Sequence, residues 1–287
     1  MKASLRLLIP GLFLSTFLFT GSCNLINPPE QIPSYIQLDS PSVTITAGLQ
    51  GTSNQKITDG WVYVDGTFQG AYEMPVTFPL LKQGTKNILI SPGIIENGVS
   101  ATRVQYPFFY TDTFSVNLEP KKTYSFHPQF KYRSNTLFLM NEDFESGNNF
   151  IKLNGDTTFV RVNDANVLEG SFSGFMGLSD SMVFGECISS QVYDFPTDGS
   201  PVYIEMNYKC DHEFRVGVIA HTTGADVKFY QWNITAHADW NKIYLHLNDL
   251  LQSLGTVNFN IVIEMIKSDS EPEARLWVDN IKLLTLQ

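Results

Sequence analysis

Cysteine, histidine and basic residues are all scarce in this chain of 287 residues, which holds three Cys, five His and 19 Lys+Arg against 29 Asp+Glu. The histidines (His127, His212, His221, His237, His246) are scattered without the spacing that metal sites need. Neither a Gly-x-Ser-x-Gly elbow nor His-Glu-x-x-His occurs, so the common hydrolase signatures are missing. Carboxylate pairs such as Glu142 with Glu145 or Glu271 with Glu273 do occur, but acid–base work needs a concave site, which pairing alone does not supply. A net charge of −10 repels phosphate backbones and argues against a nucleic-acid partner. After Cys23 no hydrophobic run is long enough to span a bilayer. An enzyme is therefore not expected.

What is present points to β-structure. Hydrophobic residues make up 43% and charged ones 17%, a globular balance, and 21 Phe with 12 Tyr favour strands. Val43-Thr-Ile-Thr, Trp61-Val-Tyr-Val, Lys86-Asn-Ile-Leu-Ile and Thr113-Phe-Ser-Val-Asn-Leu alternate with period two. Asp65-Gly66 marks a hairpin, and Pro92-Gly93 and Asn97-Gly98 read as further turns. No amphipathic helix of ordinary length is evident. The fold class predicted is all-β, built as two β-sandwich domains.

The N-terminus carries a distinct signal. Lys2 and Arg6 precede the apolar run Leu7–Thr20, which as a helix would reach about 21 Å, short of the roughly 30 Å hydrocarbon core. It reads as a cleaved leader, residues 1–22. Thr20-Gly-Ser-Cys23 resembles the lipobox of Gram-negative lipoproteins, with Thr where that pattern usually has Leu. The resemblance implies lipid attachment at Cys23, membrane association through that anchor, and a place in the cell envelope, at the outer membrane in either leaflet. Residues 23–33, rich in Pro and polar side chains, form the tether.

Residues 34–134 are expected to form the first sandwich, of immunoglobulin-like or prealbumin-like type. Within them Val62-Tyr-Val-Asp-Gly-Thr-Phe-Gln-Gly and Leu80-Leu-Lys-Gln-Gly resemble PEGA or carboxypeptidase-regulatory-like modules, which implies display and no chemistry. Residues 139–287 open with Asp143-Phe-Glu-Ser-Gly, continue through Trp240-Asn-Lys-Ile-Tyr-Leu, and close with Trp277-Val-Asp-Asn-Ile-Lys-Leu. That succession resembles the jelly rolls of carbohydrate-binding modules and galactose-binding-like domains.

The jelly-roll resemblance implies a structural calcium ion, with Glu145 and Asp279 as carboxylate ligands and Asp164 or Glu169 assisting from the loop before Gly170. The alternative is that these are ordinary strand-end acids. Sugar binding needs aromatic rings beside polar groups. Tyr230 and Trp232, two apart, are expected on one strand face, either as a ligand platform or as core. Trp240 and Trp277 are expected in the core. Cys187 and Cys210 flank Pro196-Thr-Asp-Gly-Ser-Pro201; a direct hairpin centred there would set them opposite each other, with Cα atoms about 4.5 Å apart, close enough for a disulfide. Strands that cross to opposite sheets would instead separate them. Two functions fit: a glycan-binding or display lipoprotein, or a structural lipoprotein contacting other envelope proteins without a small ligand.

Overall fold

The computed structural model describes residues 30–179 and 181–287. The leader and Cys23 lie outside them. Among the described residues the regular secondary structure is all strand, apart from one helix of six residues, and no helix is long and apolar enough to cross a membrane.

The first half holds β1 (Ser34–Leu38), β2 (Ser42–Thr44), β3 (Asp59–Val64), β4 (Thr67–Glu73), β5 (Val76–Leu80), β6 (Gly84–Ile95), β7 (Arg103–Gln105), β8 (Asp112–Leu118), β9 (Thr123–Phe126) and β10 (Gln129–Lys131). Sheet β5-β1-β9 packs on sheet β4-β3-β6-β7, which β8 extends by pairing with β6. Alternate residues meet between the sheets: Ile36, Leu38, Phe78 and Leu80 from one, Val62, Val64, Ile88 and Ile90 from the other. Asp65 and Gly66, at φ 48° and 80°, make the β3–β4 hairpin turn that the sequence predicts. Pro92-Gly93 is not a turn. It lies inside β6, with Gly60 opposite Pro92, and a side chain at Gly93 would run into the Trp61 ring.

The second half holds β11 (Thr136–Glu142), β12 (Phe150–Gly155), β13 (Val160–Val162), β14 (Ser173–Ser179), β15 (Phe184–Ser189), β16 (Tyr193–Asp194), β17 (Tyr203–Cys210), β18 (Phe214–His221), β19 (Asp226–Ile234), β20 (His237–His246), α1 (Asn248–Ser253), β21 (Asn258–Ile266) and β22 (Glu273–Leu286). One sheet runs β13-β14-β22-β17-β20, with β11 also on β22; the other runs β12-β15-β21-β18-β19, with β16 also on β21. Their inner faces share one apolar core.

The expected disulfide is not formed. Both Cys187 and Cys210 are free and buried. Tyr193-Asp194 pairs with β21, whereas β17 pairs with β20 and β22. The chain thus changes sheets between residues 194 and 203, and the thiols enter the core from opposite sheets, which pack about 10 Å apart. The Cys187 and Cys210 thiols point to the carbonyls of Ile263 and Thr235. Burial raises both, Cys210 to about 11.

In β17, Ile204, Met206, Tyr208 and Cys210 point into the core, while Tyr203, Glu205 and Asn207 point outward. Those outward residues are nonetheless buried, because the first sandwich covers this sheet. Tyr106 packs on Tyr203 and Tyr244. Glu205 accepts from Tyr106 Oη (2.6 Å) and Tyr132 Oη (2.9 Å), and pairs with Lys242 Nζ (2.8 Å). Lys242 and Lys282 donate onward to the Asn54 and Thr52 carbonyls. Burial alone would raise the Glu205 carboxyl; the attraction of Lys242 and Lys282 outweighs it and holds the group at about 2. Burial lowers Lys282 to about 8. With one sheet covered in this way, the outer face of the sheet β12-β15-β21-β18-β19 is the open face of the second sandwich, and it points away from the first.

Candidate glycan-binding face

On the open face the register is broken once. Val216 faces Trp232 and Gly217 faces Tyr230, so Gln231 is an extra residue on β19. A bulge shifts the side-chain alternation by one residue, and it sends Tyr230 and Trp232 to opposite faces. They do not form the shared pair expected from their spacing. Trp232 is in the core, 8% exposed, and its Nε1 donates to Asn97 Oδ1 of the first sandwich.

Tyr230 stays on the open face, half-buried. Its strand partner is Gly217, which offers no side chain to obstruct the ring. The hydroxyl reaches across β18 and β21 and donates to Glu186 Oε1 on β15. Glu186 and Glu264 are direct register partners, as are Glu264 and Arg215. Arg215 pairs with Glu264, and its guanidinium lies 4.9 Å from the Tyr230 ring centre. Lys228 Nζ meets Glu186 Oε1 at 2.5 Å and lies 5.8 Å from the same ring. Burial, followed by the hydrogen bond to Glu186, raises the Tyr230 phenol far above its ordinary value, so the hydroxyl stays protonated and donates.

Both carboxylates are sunk in the sheet, Glu186 at 0% and Glu264 at 4% exposure, and Glu186 Oε2 has no hydrogen-bond partner. Two cavities are lined by the groups that contact Tyr230, though not by Tyr230 itself. One of about 520 Å³ is lined by Arg215, Asn233, Glu264 and His212. Another, of about 320 Å³, is lined by Asn154, Glu186, Asp226 and Lys228. His221 bridges Asn260 and Asp226, and those hydrogen bonds raise its imidazole.

The acids expected to hold calcium are drawn together in part. Glu145, Glu169 and Asp279 line one cavity of about 400 Å³, with Asn141 and Asn280. Asp164 does not line it and instead accepts the Asn166 N–H. The carboxylates already serve the protein. Glu145 Oε1 accepts from the Ser171 and Phe172 amides. Asp279 accepts from Ser173 Oγ and the Asn280 amide, and Glu169 from Thr52 and Asn280. Among the described residues no group of three or more His, Cys, Asp or Glu side chains is placed to hold a metal. Burial raises the Asp279 carboxyl to about 7. As arranged, these residues do not fit the ion.

Trp240 is only partly buried, and Trp277, buried as expected, lies outside the core between the two sheets. They sit on the outer side of the covered sheet, beyond the reach of the first sandwich. Trp240 Nε1 donates to the Asn166 carbonyl. Trp277 packs on Phe175 under Lys209 and Arg275, which leave it 8% exposed. The covered rings offer no open platform.

No family model matches the chain, and no curated protein matches it. Solved structures do. A carbohydrate-binding module of the β-sandwich superfamily is 15% identical, with a TM-score of 0.41, over 89% of this chain and 99% of that one. A family 61 carbohydrate-binding module, solved with β-1,4-galactotriose, is also 15% identical, with a TM-score of 0.36, over 51% of this chain and 96% of that one. The enzymatically active domain of tailspike protein 4 of bacteriophage CBA120 is 14% identical, with a TM-score of 0.38, over 50% of this chain and 20% of that one.

Proposed function

We propose that the chain is a non-enzymatic envelope lipoprotein whose second sandwich binds a glycan on the open face around Tyr230. One observation carries this reading: two buried carboxylates lie beneath a half-exposed tyrosine and two cations. Desolvating each carboxylate costs several kcal/mol, and apolar side chains of similar size would often stabilise the sheet better. The cost has a use if Glu186 and Glu264 fix the ring, guanidinium and ammonium in position before a ligand arrives. A sugar would place a C–H face on the Tyr230 ring and its hydroxyls against Arg215, Lys228 and Asn233.

The lipid anchor and the outer-membrane location belong to the same proposal, and the leader and Thr20-Gly-Ser-Cys23 support them. So does the layout of the described residues. Strand β6 runs from beside the tether to the Asn97 turn, where the Asn97 amide donates to the Tyr244 carbonyl of the second sandwich. Its twelve residues span about 40 Å. The first sandwich would then be a spacer that holds the glycan face away from the bilayer.

A glycan array probed with the full chain in detergent tests the function. At least one glycan should bind, and Tyr230→Ala should weaken it tenfold or more. An array without hits, or a hit that Tyr230→Ala leaves unchanged, would sink the assignment.

A further inference from the structure

One end of the first sandwich differs from the rest of this acidic protein. The described chain enters there: the Lys121 amide donates to the Pro33 carbonyl, and the Tyr35 amide to the Lys122 carbonyl. The strand pairings bring three turns to the same end. Ser34 lies opposite Leu80, Gly84 lies opposite Leu118, and the Asp65 amide donates to the Asn87 carbonyl.

Those turns carry Lys82, Lys86, Lys121 and Lys122. Lys86 is paired with Asp65 and Lys122 with Glu119. Lys82 and Lys121 are exposed and form no ion pair within 4 Å among the described residues, although the charge of Lys82 acts on Asp65. Besides those two paired acids, the one nearby in sequence is Glu30 on the tether.

Large apolar side chains stand exposed around the same end. Leu81 is 57% exposed, Ile32 47%, Phe68 48% and Tyr35 38%. Tyr35 lies on the outer side of one sheet. Phe68 lies on the outer side of the other, 5.2 Å from the Tyr63 ring and 5.5 Å from the Trp61 ring. A rim of lysines with apolar tips and a flanking Tyr is the side-chain set that settles at a headgroup layer.

We infer that this end, comprising the turns at 65–66, 81–84 and 119–122, rests on a bilayer surface bearing anionic phospholipid headgroups. The inference builds on the lipid anchor at Cys23. Six residues lie between Cys23 and Glu30, and the seven steps from one to the other, fully extended, span about 24 Å. The anchor therefore keeps this end within reach of the headgroups, and the two unpaired lysines supply the complementary charge. Docked in this way, the protein stands upright, with the open face of the second sandwich turned outward.

Full-length protein in nanodiscs of phosphatidylethanolamine, with or without phosphatidylglycerol, tests the contact by hydrogen exchange. In phosphatidylglycerol discs the amides of 80–84 and 119–122 should exchange about tenfold more slowly than in detergent. Strands β17 and β21 should be unchanged, and K82E/K121E should abolish the difference. Intact-mass analysis of the N-terminal peptide tests the anchor separately. An acylated protein whose turns exchange alike in both discs and in detergent refutes the docking and leaves the anchor standing. A peptide without an acyl chain refutes both.

Discussion

Glu205→Gln is the substitution that most directly probes how the two sandwiches are joined. The Glu205 carboxylate is the acceptor for Tyr106 and Tyr132 and the counter-charge for Lys242, with Lys282 close by, and all five side chains are buried. Its carboxyl is held at about 2 against 4.5 for an ordinary glutamate. At about 1.4 kcal/mol per pKa unit that is roughly 3 kcal/mol of folding free energy at neutral pH. The folded-state value is depressed, so this contribution is present above pH 4.5 and is lost as pH falls through about 2. A glutamine keeps the shape but leaves two buried ammonium groups uncompensated, which typically costs about 3–5 kcal/mol. For a chain of this size each kcal/mol moves Tm by about 2–4 °C, so a drop on the order of 10 °C is expected by calorimetry at pH 7. Adding Lys242→Met should recover at least half of it, because one of the stranded charges goes too. Melting of Glu205→Gln within about 2 °C of wild type, or a double variant no better than the single, would show that the pair does not couple the halves.

Three further outcomes follow from the buried groups. Asp279, raised to about 7 from 3.8, binds a proton in the folded state that it loses when unfolded, so stability should fall as pH rises from about 4 to 7, by up to about 4 kcal/mol. Asp279→Asn should flatten that slope, and an unchanged slope in urea titrations at pH 5 and 7 contradicts the assignment. Melting curves in calcium and in EDTA should coincide, since the Glu145, Glu169 and Asp279 oxygens are engaged by protein donors; a rise of more than about 5 °C in calcium would show that they rearrange around the ion. Alkylation of the unfolded, non-reduced protein should label both Cys187 and Cys210, and an unlabelled pair would place them in a disulfide.

Local signals carried well from sequence to structure. Period-two runs became strands, Asp65-Gly66 became a hairpin, and the segment opening at Asn141 pairs with the closing strand, Glu142 opposite Ile281. Pairing over longer distances was hidden. The extra residue Gln231 cannot be distinguished from its neighbours in a strand of ordinary composition, yet it separates Tyr230 from Trp232. Setting Cys187 opposite Cys210 requires one direct hairpin, and no residue type marks where the chain changes sheets. Glu205, Lys242 and Lys282 read as the polar side of alternating strands, which normally faces water. Nothing in one sequence says that the first sandwich covers them. Glu186 and Glu264 were missed for a related reason: 78 residues apart, they become neighbours only through the β15–β21 register.

The most direct measurement is hydrogen exchange of the full chain with and without a glycan that binds it. Slowed exchange should map to β18, β19 and β21 on the open face, around Arg215, Tyr230 and Glu264, and Glu186→Gln should weaken binding without moving that footprint. Protection that falls instead on β14 and β22 around Phe175 and Trp277, or on the first sandwich, would contradict the assignment of the glycan face.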